Sequence, residues 1–203
     1  MKTDSVLKLR AMSDCEIIMT VFAGTNGAGK STISAQMKEY VGVIIDPDQI
    51  ARAINPANPR DADLSAGREA VKLIRQLISQ RDNFAIETTL SGSFALRHMK
   101  MANEQGYRVV LYYIGLQDVQ MHIDRVTSRV EQGGHWIAEK DIRWRYGQSL
   151  SNLIPALQVS DEVIIIDNTY KPEIVAEIKQ SKIVFYKDET PQWVKEALAI
   201  YFK

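Results

Sequence analysis

Gly24-Thr25-Asn26-Gly27-Ala28-Gly29-Lys30-Ser31 has the residue types and the spacing of a phosphate cradle: a glycine, four residues, then Gly-Lys-Ser. Its glycines keep Cβ atoms out of the way, so the chain can fold back and turn its N–H groups toward an anion. The helix that follows would add its positive end. Lys30 supplies a mobile charge for β- and γ-phosphates, and the Ser31 hydroxyl suits Mg²⁺. The loop, with Thr32 after it, is the expected seat of a nucleoside triphosphate, ATP or GTP. The plain alternative is a glycine-rich turn that binds nothing, and the flanks argue against it. Ile17–Ala23 is an apolar run of strand length, and Ile33 and Met37 lie four apart, as on one helical face, before Gly42. Strand, glycine loop and helix together form the context such a loop requires.

Carboxylates come next. Asp46-Pro47-Asp48 follows the short apolar run Val43-Ile44-Ile45. An acid here can take a proton from an attacking hydroxyl or help place Mg²⁺; otherwise it caps the next turn. Spacing does not choose between Asp46 and Asp48, and the strand before them is expected to be buried beside the strand that feeds the phosphate loop. Glu87-Thr88-Thr89 follows Phe84-Ala85-Ile86 and suits a polar, hydroxyl-rich substrate, or else leads into a helix N-cap at Ser91 or Ser93.

Arginines supply the third set. Between Asp118 and Glu131, Val119, Ile123, Val126 and Val130 share one helical stripe, while Asp118, His122, Arg125 and Arg129 form another beside it. With Gly133-Gly134 beyond them, Arg125 and Arg129 form either a lid that closes on triphosphate or a solvated charged face. Arg143 and Arg145 flank the apolar face of the following helix on opposite sides, and helical geometry does not choose between them. His135 lies in the glycine segment. His98 and His122 lack partners at metal-ligand spacing. Trp136 and Trp144 can stack on a base or sugar, or simply pack. Asp167-Asn168 reads equally as a neighbour of the nucleotide base and as a turn.

The positioning elements are strands and helices in alternation. Five apolar strand-length runs, ending near Ala23, Ile45, Ile86, Ile114 and Ile166, are separated by helical patterns, and Lys182–Tyr186 reads as a sixth, peripheral strand. Apolar strands alternating with helices predict an α/β fold with a parallel sheet covered on both faces. Ligands then gather beyond the carboxyl ends of the strands, where the phosphate loop, Asp46, Asp48 and Glu87 all fall. A polar lead-in over residues 1–16 and a closing helix through Ala197, Leu198 and Tyr201 complete the pattern.

The chain's 203 residues suit one domain over 1–203, with 116–157 as an arginine-bearing helical lid. Acidic and basic residues balance at 25 each, which gives no global field toward nucleic acid or a membrane surface. Cys15 is the single cysteine, compatible with a reducing cytoplasmic setting. Met1–Asp14 lacks the apolar core of a signal peptide, and no apolar run approaches membrane-spanning length.

The motifs resemble the zeta-toxin family of P-loop kinases. Gly24–Ser31, Asp46-Pro47-Asp48-Gln49-Ile50, Glu87-Thr88-Thr89-Leu90-Ser91-Gly92, Gly106-Tyr107, Arg125-Val126, Arg129-Val130, Gly133-Gly134-His135, Arg145-Tyr146 and Ser149 to Leu153 carry the likeness, in order across residues 17–170. The resemblance implies a P-loop NTPase fold and transfer of the γ-phosphoryl group of ATP or GTP to a hydroxyl of a small molecule. In the family the acceptor is a nucleotide-sugar, UDP-N-acetylglucosamine. It implies that Lys30 binds phosphate, Ser31 holds Mg²⁺, Asp48 is the base and Glu87 a substrate-side acid. Asp46, Thr88, Thr89 and His135 then line the acceptor side, and Arg129, Arg145 and after them Arg125 meet the γ-phosphate. The family's toxins also imply an antitoxin partner, which cannot be read from this chain. The chain is shorter than the well-studied toxins and its second strand end reads Asp-Pro-Asp-Gln, which leaves its own acceptor open. The rival functions are a regulatory NTPase that hydrolyses nucleotide and acts through a partner protein, and a nucleic-acid end kinase, which the charge balance disfavours.

Overall fold

The structure, a computed structural model, describes residues 16–134 and 136–199. His135, the polar lead-in over residues 1–15 and Tyr201 of the expected closing helix lie outside the described residues.

Among the described residues, seven strands form one sheet in the order β2-β3-β1-β4-β5-β6-β7. They are β1 Ile18–Ala23, β2 Val43–Ile45, β3 Phe84–Thr88, β4 Arg108–Gly115, β5 Glu162–Asp167, β6 Glu173–Lys179 and β7 Lys182–Tyr186. The helices are α1 Lys30–Gln36, α2 Lys38–Val41, α3 Pro47–Ile54, α4 Asp63–Gln80, α5 Ser93–Glu104, α6 Val119–Glu131, α7 Glu139–Gln158 and α8 Gln192–Ala197, with a 3-10 turn at Pro59–Ala62. The strands from β2 to β5 pair in parallel. The expected α/β fold with a covered parallel sheet is what the chain adopts, with a further strand and an antiparallel edge.

Alternation along β1 shows how the sheet is covered on both faces. Met19 and Val21 belong to a core shared with Ala70 and Ile74 of α4, Met99 of α5, Leu153 of α7 and Val194 of α8. Ile18 and Phe22 point the other way, into a core with Ile33 of α1, Met37, and Val41 of α2. A third, smaller cluster joins Ile123 and Val126 of α6 to Ile137 and Ile142, so α6 and α7 carry an apolar seam of their own.

Two sequence expectations change. The strand expected beside β1 does not touch it: β3 lies between them, pairing Met19 with Phe84 on one side and Val43 with Phe84 on the other. β2 is consequently a three-residue edge strand with an exposed Val43, whereas Phe84–Glu87 are all buried. The sheet also does not end at one peripheral strand. β6 folds back antiparallel on β5, and β7 folds back on β6. The turn between β6 and β7 is the two-residue loop Gln180-Ser181, with φ of 46° and 59°. Positive φ at both positions is the geometry that matches the twist of a hairpin.

The chain leaves β1 for β2 and β3 on one side of the sheet, then crosses to β4 and β5 on the other. The loop after β1 therefore opens at the point where the strand order reverses, where such sheets bind ligands. Among the described residues, no helix is long and apolar enough to cross a membrane.

Candidate active site

The loop from Gly24 to Gly29 is held at every side. Gly24 leaves β1 with φ +142°, and a Cβ there would lie 2.0 Å from the Ile114 carbonyl oxygen of β4. Only glycine fits that approach. The Gly24 N–H donates to Thr88 O of β3 at 3.2 Å, and Ala28 N donates to Thr25 O at 3.1 Å. The Lys30 ammonium folds back to donate to Gly24 O at 2.8 Å. Desolvation lowers its pKa, opposed by the carboxylates of Glu87, Asp48 and Asp46.

The acidic side is built from α3 and the end of β3. Asp46 is the N-cap of α3: its carboxylate accepts from Asp48 N at 2.9 Å, and Pro47 occupies the first turn. Burial, with Glu87 and Asp48 nearby, raises the Asp46 pKa to about 6. Asp48, one step inside the helix, is exposed and lines the cavity. Glu87 is buried at 4% exposure, and both its oxygens are engaged on α1. Ser31 Oγ donates to Oε2 at 2.7 Å and Ser34 Oγ to Oε1 at 2.5 Å. The sequence reading turns Glu87 toward the acceptor; the structure turns it toward the P-loop helix. Thr88 Oγ1 accepts from Leu90 N at 3.0 Å, and Thr89 Oγ1 meets Ser91 Oγ at 2.8 Å. Both threonines line the cavity.

The basic side comes from α6 and α7. Arg145 Nη1 donates to Asn26 Oδ1 of the loop at 2.9 Å. Arg143 instead meets Glu139 and Gln120 at the surface, so the side of α7 that helical geometry leaves open is the Arg145 side. Arg125 Nη2 donates to the Asn168 and Thr169 carbonyls at 2.8 and 2.9 Å, which ties it to the loop after β5, although it also borders the cavity. Arg129 lines the cavity from the last turn of α6. The helix stops there because Gly133, at φ +85°, donates to Val130 O at 2.9 Å and Gly134 donates to Arg129 O at 2.8 Å. This paired closure places a left-handed residue where glycine serves best.

Further braces complete the loop, among them Asp167-Asn168, which the sequence reads as a base neighbour or a turn. His122, one turn before Arg125, is 1% exposed and bonds through Nδ1 to Asn26 O at 2.9 Å. Burial lowers its pKa to about 4, and because the Asn26 carbonyl can only accept, the neutral ring carries its proton on Nδ1. Asn168 Nδ2 donates to Ala28 O at 2.8 Å. Asp167 accepts from Trp193 Nε1 at 2.9 Å and from Thr169 Oγ1 at 2.8 Å, which links α8 to the same loop. The only sequence signal for His122 was its place in the arginine stripe. Ser34 had a spacing signal, three residues from Ser31 on one helical face.

Loop residues Asn26, Gly27 and Gly29 to Thr32 border a cavity of about 600 Å³ together with Asp46, Asp48, Arg60 and Trp144. Trp144 is 59% exposed there. The exposed Ser31 hydroxyl is a hard oxygen donor on this wall, as Mg²⁺ prefers. Among the described residues, no group of three or more His, Cys, Asp or Glu could hold a metal.

The model of the family described as Zeta toxin matches residues 5–190. The chain belongs to the zeta-toxin family. An uncharacterized protein of Haemophilus influenzae is 46% identical over 125 residues, 62% of this chain and 89% of that protein. The fold is similar to a structure from the PezAT chromosomal toxin-antitoxin system of Streptococcus pneumoniae, with TM-score 0.62, 19% identity, and coverage of 98% of this chain and 89% of that one. It is also similar to AvrRxo1-ORF1:-ORF2 with ATP, with TM-score 0.61, 13% identity, and coverage of 93% of this chain and 64% of that one. At these identities the structural likeness concerns the fold. In this zeta-toxin family chain the P-loop, Asp46, Asp48 and the arginines Arg125, Arg129 and Arg145 line one cavity.

Proposed function

We propose that this chain is a kinase that transfers the γ-phosphoryl group of ATP or GTP to a hydroxyl of a small molecule. A nucleotide-sugar of the UDP-N-acetylglucosamine type is the first acceptor to try. The observation that carries the reading is the convergence of Lys30, Asp48, Arg129 and Arg145 on one cavity beside the phosphate loop. The family match supports it.

In this reading the Gly24–Thr32 segment seats the triphosphate and Lys30 leaves the Gly24 carbonyl to meet β- and γ-oxygens. The Ser31 hydroxyl would hold Mg²⁺, which when bound offsets phosphate charge. Asp48 takes the proton of the acceptor hydroxyl, whose oxygen then bonds to the γ-phosphorus. The bond from that phosphorus to the β–γ bridging oxygen breaks, and the nucleoside diphosphate leaves with the electron pair. Asp48 is the better base of the pair because Asp46 already accepts from the helix it caps. Arg145, now on Asn26, and Arg129 would stabilise the transferring phosphoryl group. Arg125, held on the 168–169 carbonyls, is the least suited of the three. Thr88, Thr89 and Asp46 border the cavity and would line the acceptor side, whereas Glu87 is engaged on α1; the resemblance adds His135 to that side.

The rest of the proposal is that residues 116–157 act as a lid on a single kinase domain working in the cytoplasm. An antitoxin-type protein partner belongs to it because the pneumococcal neighbour comes from a toxin-antitoxin system.

Incubation of a nucleotide-sugar pool with Mg-ATP, read by mass spectrometry, tests the reading. The expected product carries one added phosphoryl group. Asp48→Asn should cut turnover by roughly 10²–10⁴-fold, the usual contribution of a positioned base. Nucleotide hydrolysis with no phosphorylated acceptor, unchanged by Asp48→Asn, would overturn the reading in favour of a regulatory NTPase.

A further inference from the structure

We propose that Ser34 is a positioning residue of the cation subsite, acting through Glu87 on Ser31; this rests on the kinase reading. Ser31 and Ser34 stand three residues apart on α1, on the face turned toward the end of β3. Each hydroxyl donates to a different oxygen of one carboxylate: Ser31 to Glu87 Oε2 at 2.7 Å, Ser34 to Oε1 at 2.5 Å. A hydroxyl has one proton. With its proton on Glu87, Ser31 keeps its lone pairs for the cavity, which is the polarity a cation ligand needs. Glu87 therefore sets the sense of the Ser31 hydroxyl, and Ser34 sets Glu87.

The burial of this pair separates it from an ordinary helix contact. Ser34 is 2% exposed and Glu87 4%. Among the described residues, no buried side-chain oxygen or nitrogen lacks a partner. Ser34 has a second acceptor within reach, Ser31 O at 3.4 Å, but the shorter bond is to Glu87. Without the Ser34 hydroxyl, Oε1 would lose its donor in a place that water barely reaches, and the carboxylate would turn to find another. Lys30, whose charge Glu87 balances, is one such attractor. A Glu87 drawn to Lys30 would release the Ser31 proton toward the cavity and turn the ligand polarity the wrong way.

The test measures ADP binding by calorimetry with Mg²⁺ and with EDTA, and checks folding by thermal denaturation. Ser34→Ala should weaken ADP binding in Mg²⁺ about tenfold or more, as the loss of outer partners does at metal sites. Binding in EDTA should stay within about twofold, inside the usual scatter between independent sites. Ser34→Thr, which keeps the hydroxyl, should restore the Mg²⁺ effect. In a Glu87→Gln background Ser34→Ala should add nothing, because the path runs through Glu87. If Ser34→Ala does not fold, Ser34→Cys keeps the volume with a weaker donor and carries the same comparison. Equal losses in Mg²⁺ and EDTA, or a full Ser34→Ala effect in the Glu87→Gln background, would overturn the assignment. So would a normal wild type with an unchanged Ser34→Ala variant. A wild type that binds no ADP under either condition would overturn the kinase reading beneath it.

Discussion

Lys30 holds an unusual place for an ammonium group. It is half-buried, bonded to two loop carbonyls, and faces the carboxylates of Glu87, Asp48 and Asp46. Desolvation works against its charge and those acids work for it, so the site stores a cation where a triphosphate would need one. Replacing it with alanine leaves the glycine geometry intact and removes the mobile charge. Lys30→Ala should weaken ATP binding about 10- to 150-fold, the range for bonds to charged groups, and remain folded. Tight nucleotide binding by that variant, measured by calorimetry, would count against the loop as the phosphate seat. The eight residues that carry this prediction are contiguous, which is why they are legible in the chain. The partners of Glu87 were harder to read, because Ser34 and Glu87 are 53 positions apart and meet only when β3 lies beside β1.

Helices and strands act on the site through the loop that follows β5. Asn168 reaches Ala28, Arg125 reaches Asn168 and Thr169, and Trp193 of α8 holds Asp167. One loop thus joins α6 and the C-terminal helix to the phosphate cradle. Asn168→Ala should speed amide exchange across residues 24–31 while β1 and β4 keep their protection. Nucleotide affinity should fall about fivefold, in line with the loss of one neutral hydrogen bond. Uniformly faster exchange across the sheet would mean that Asn168 serves the whole core. The strands up to β5 and the helices α4 to α7 are visible in apolar periodicity. β6 is not, for two reasons: its turn is Gln180-Ser181, without the Asn-Gly or Asp-Gly signature of tight hairpins, and its register shifts between Glu177 and Ile178. α3 was hidden behind Pro47, which reads as a stop but sits in the first helical turn, where it is well tolerated.

For the molecule as a whole, two buried titrations run against each other. Asp46 is raised from 3.8 to about 6, so its contribution to stability is fully present below about pH 4 and is lost as pH rises through 6. His122 is lowered from 6.5 to about 4, so its contribution is present above about 6.5 and is lost as pH falls through 4. Each is worth up to roughly 3 kcal/mol, and over pH 4–6.5 they largely cancel. Asp46→Asn keeps a helix cap and deletes one of the two. Its stability relative to wild type, from urea unfolding at a series of pH values, should rise by as much as roughly 3 kcal/mol between about pH 4 and pH 6. A difference that does not vary with pH would show that Asp46 is not held out of its ordinary range.

Local chemistry was written in the chain from the start: the phosphate loop, the acids at strand ends, the arginine stripe and the alternation of strands with helices. Each depends on neighbours within about one or two helical turns, the reach of periodicity and turn preference. Other features needed distant segments to meet. Whether β2 or β3 lies against β1 is a matter of pairing between strands tens of residues apart. The choice of Arg145 over Arg143 depends on where α7 docks against Asn26, 119 positions away. The two donors on Glu87 exist only because the start of α1 lies beside the end of β3. Sequence spacing sets which groups are available, and packing across the sheet decides which of them face one another.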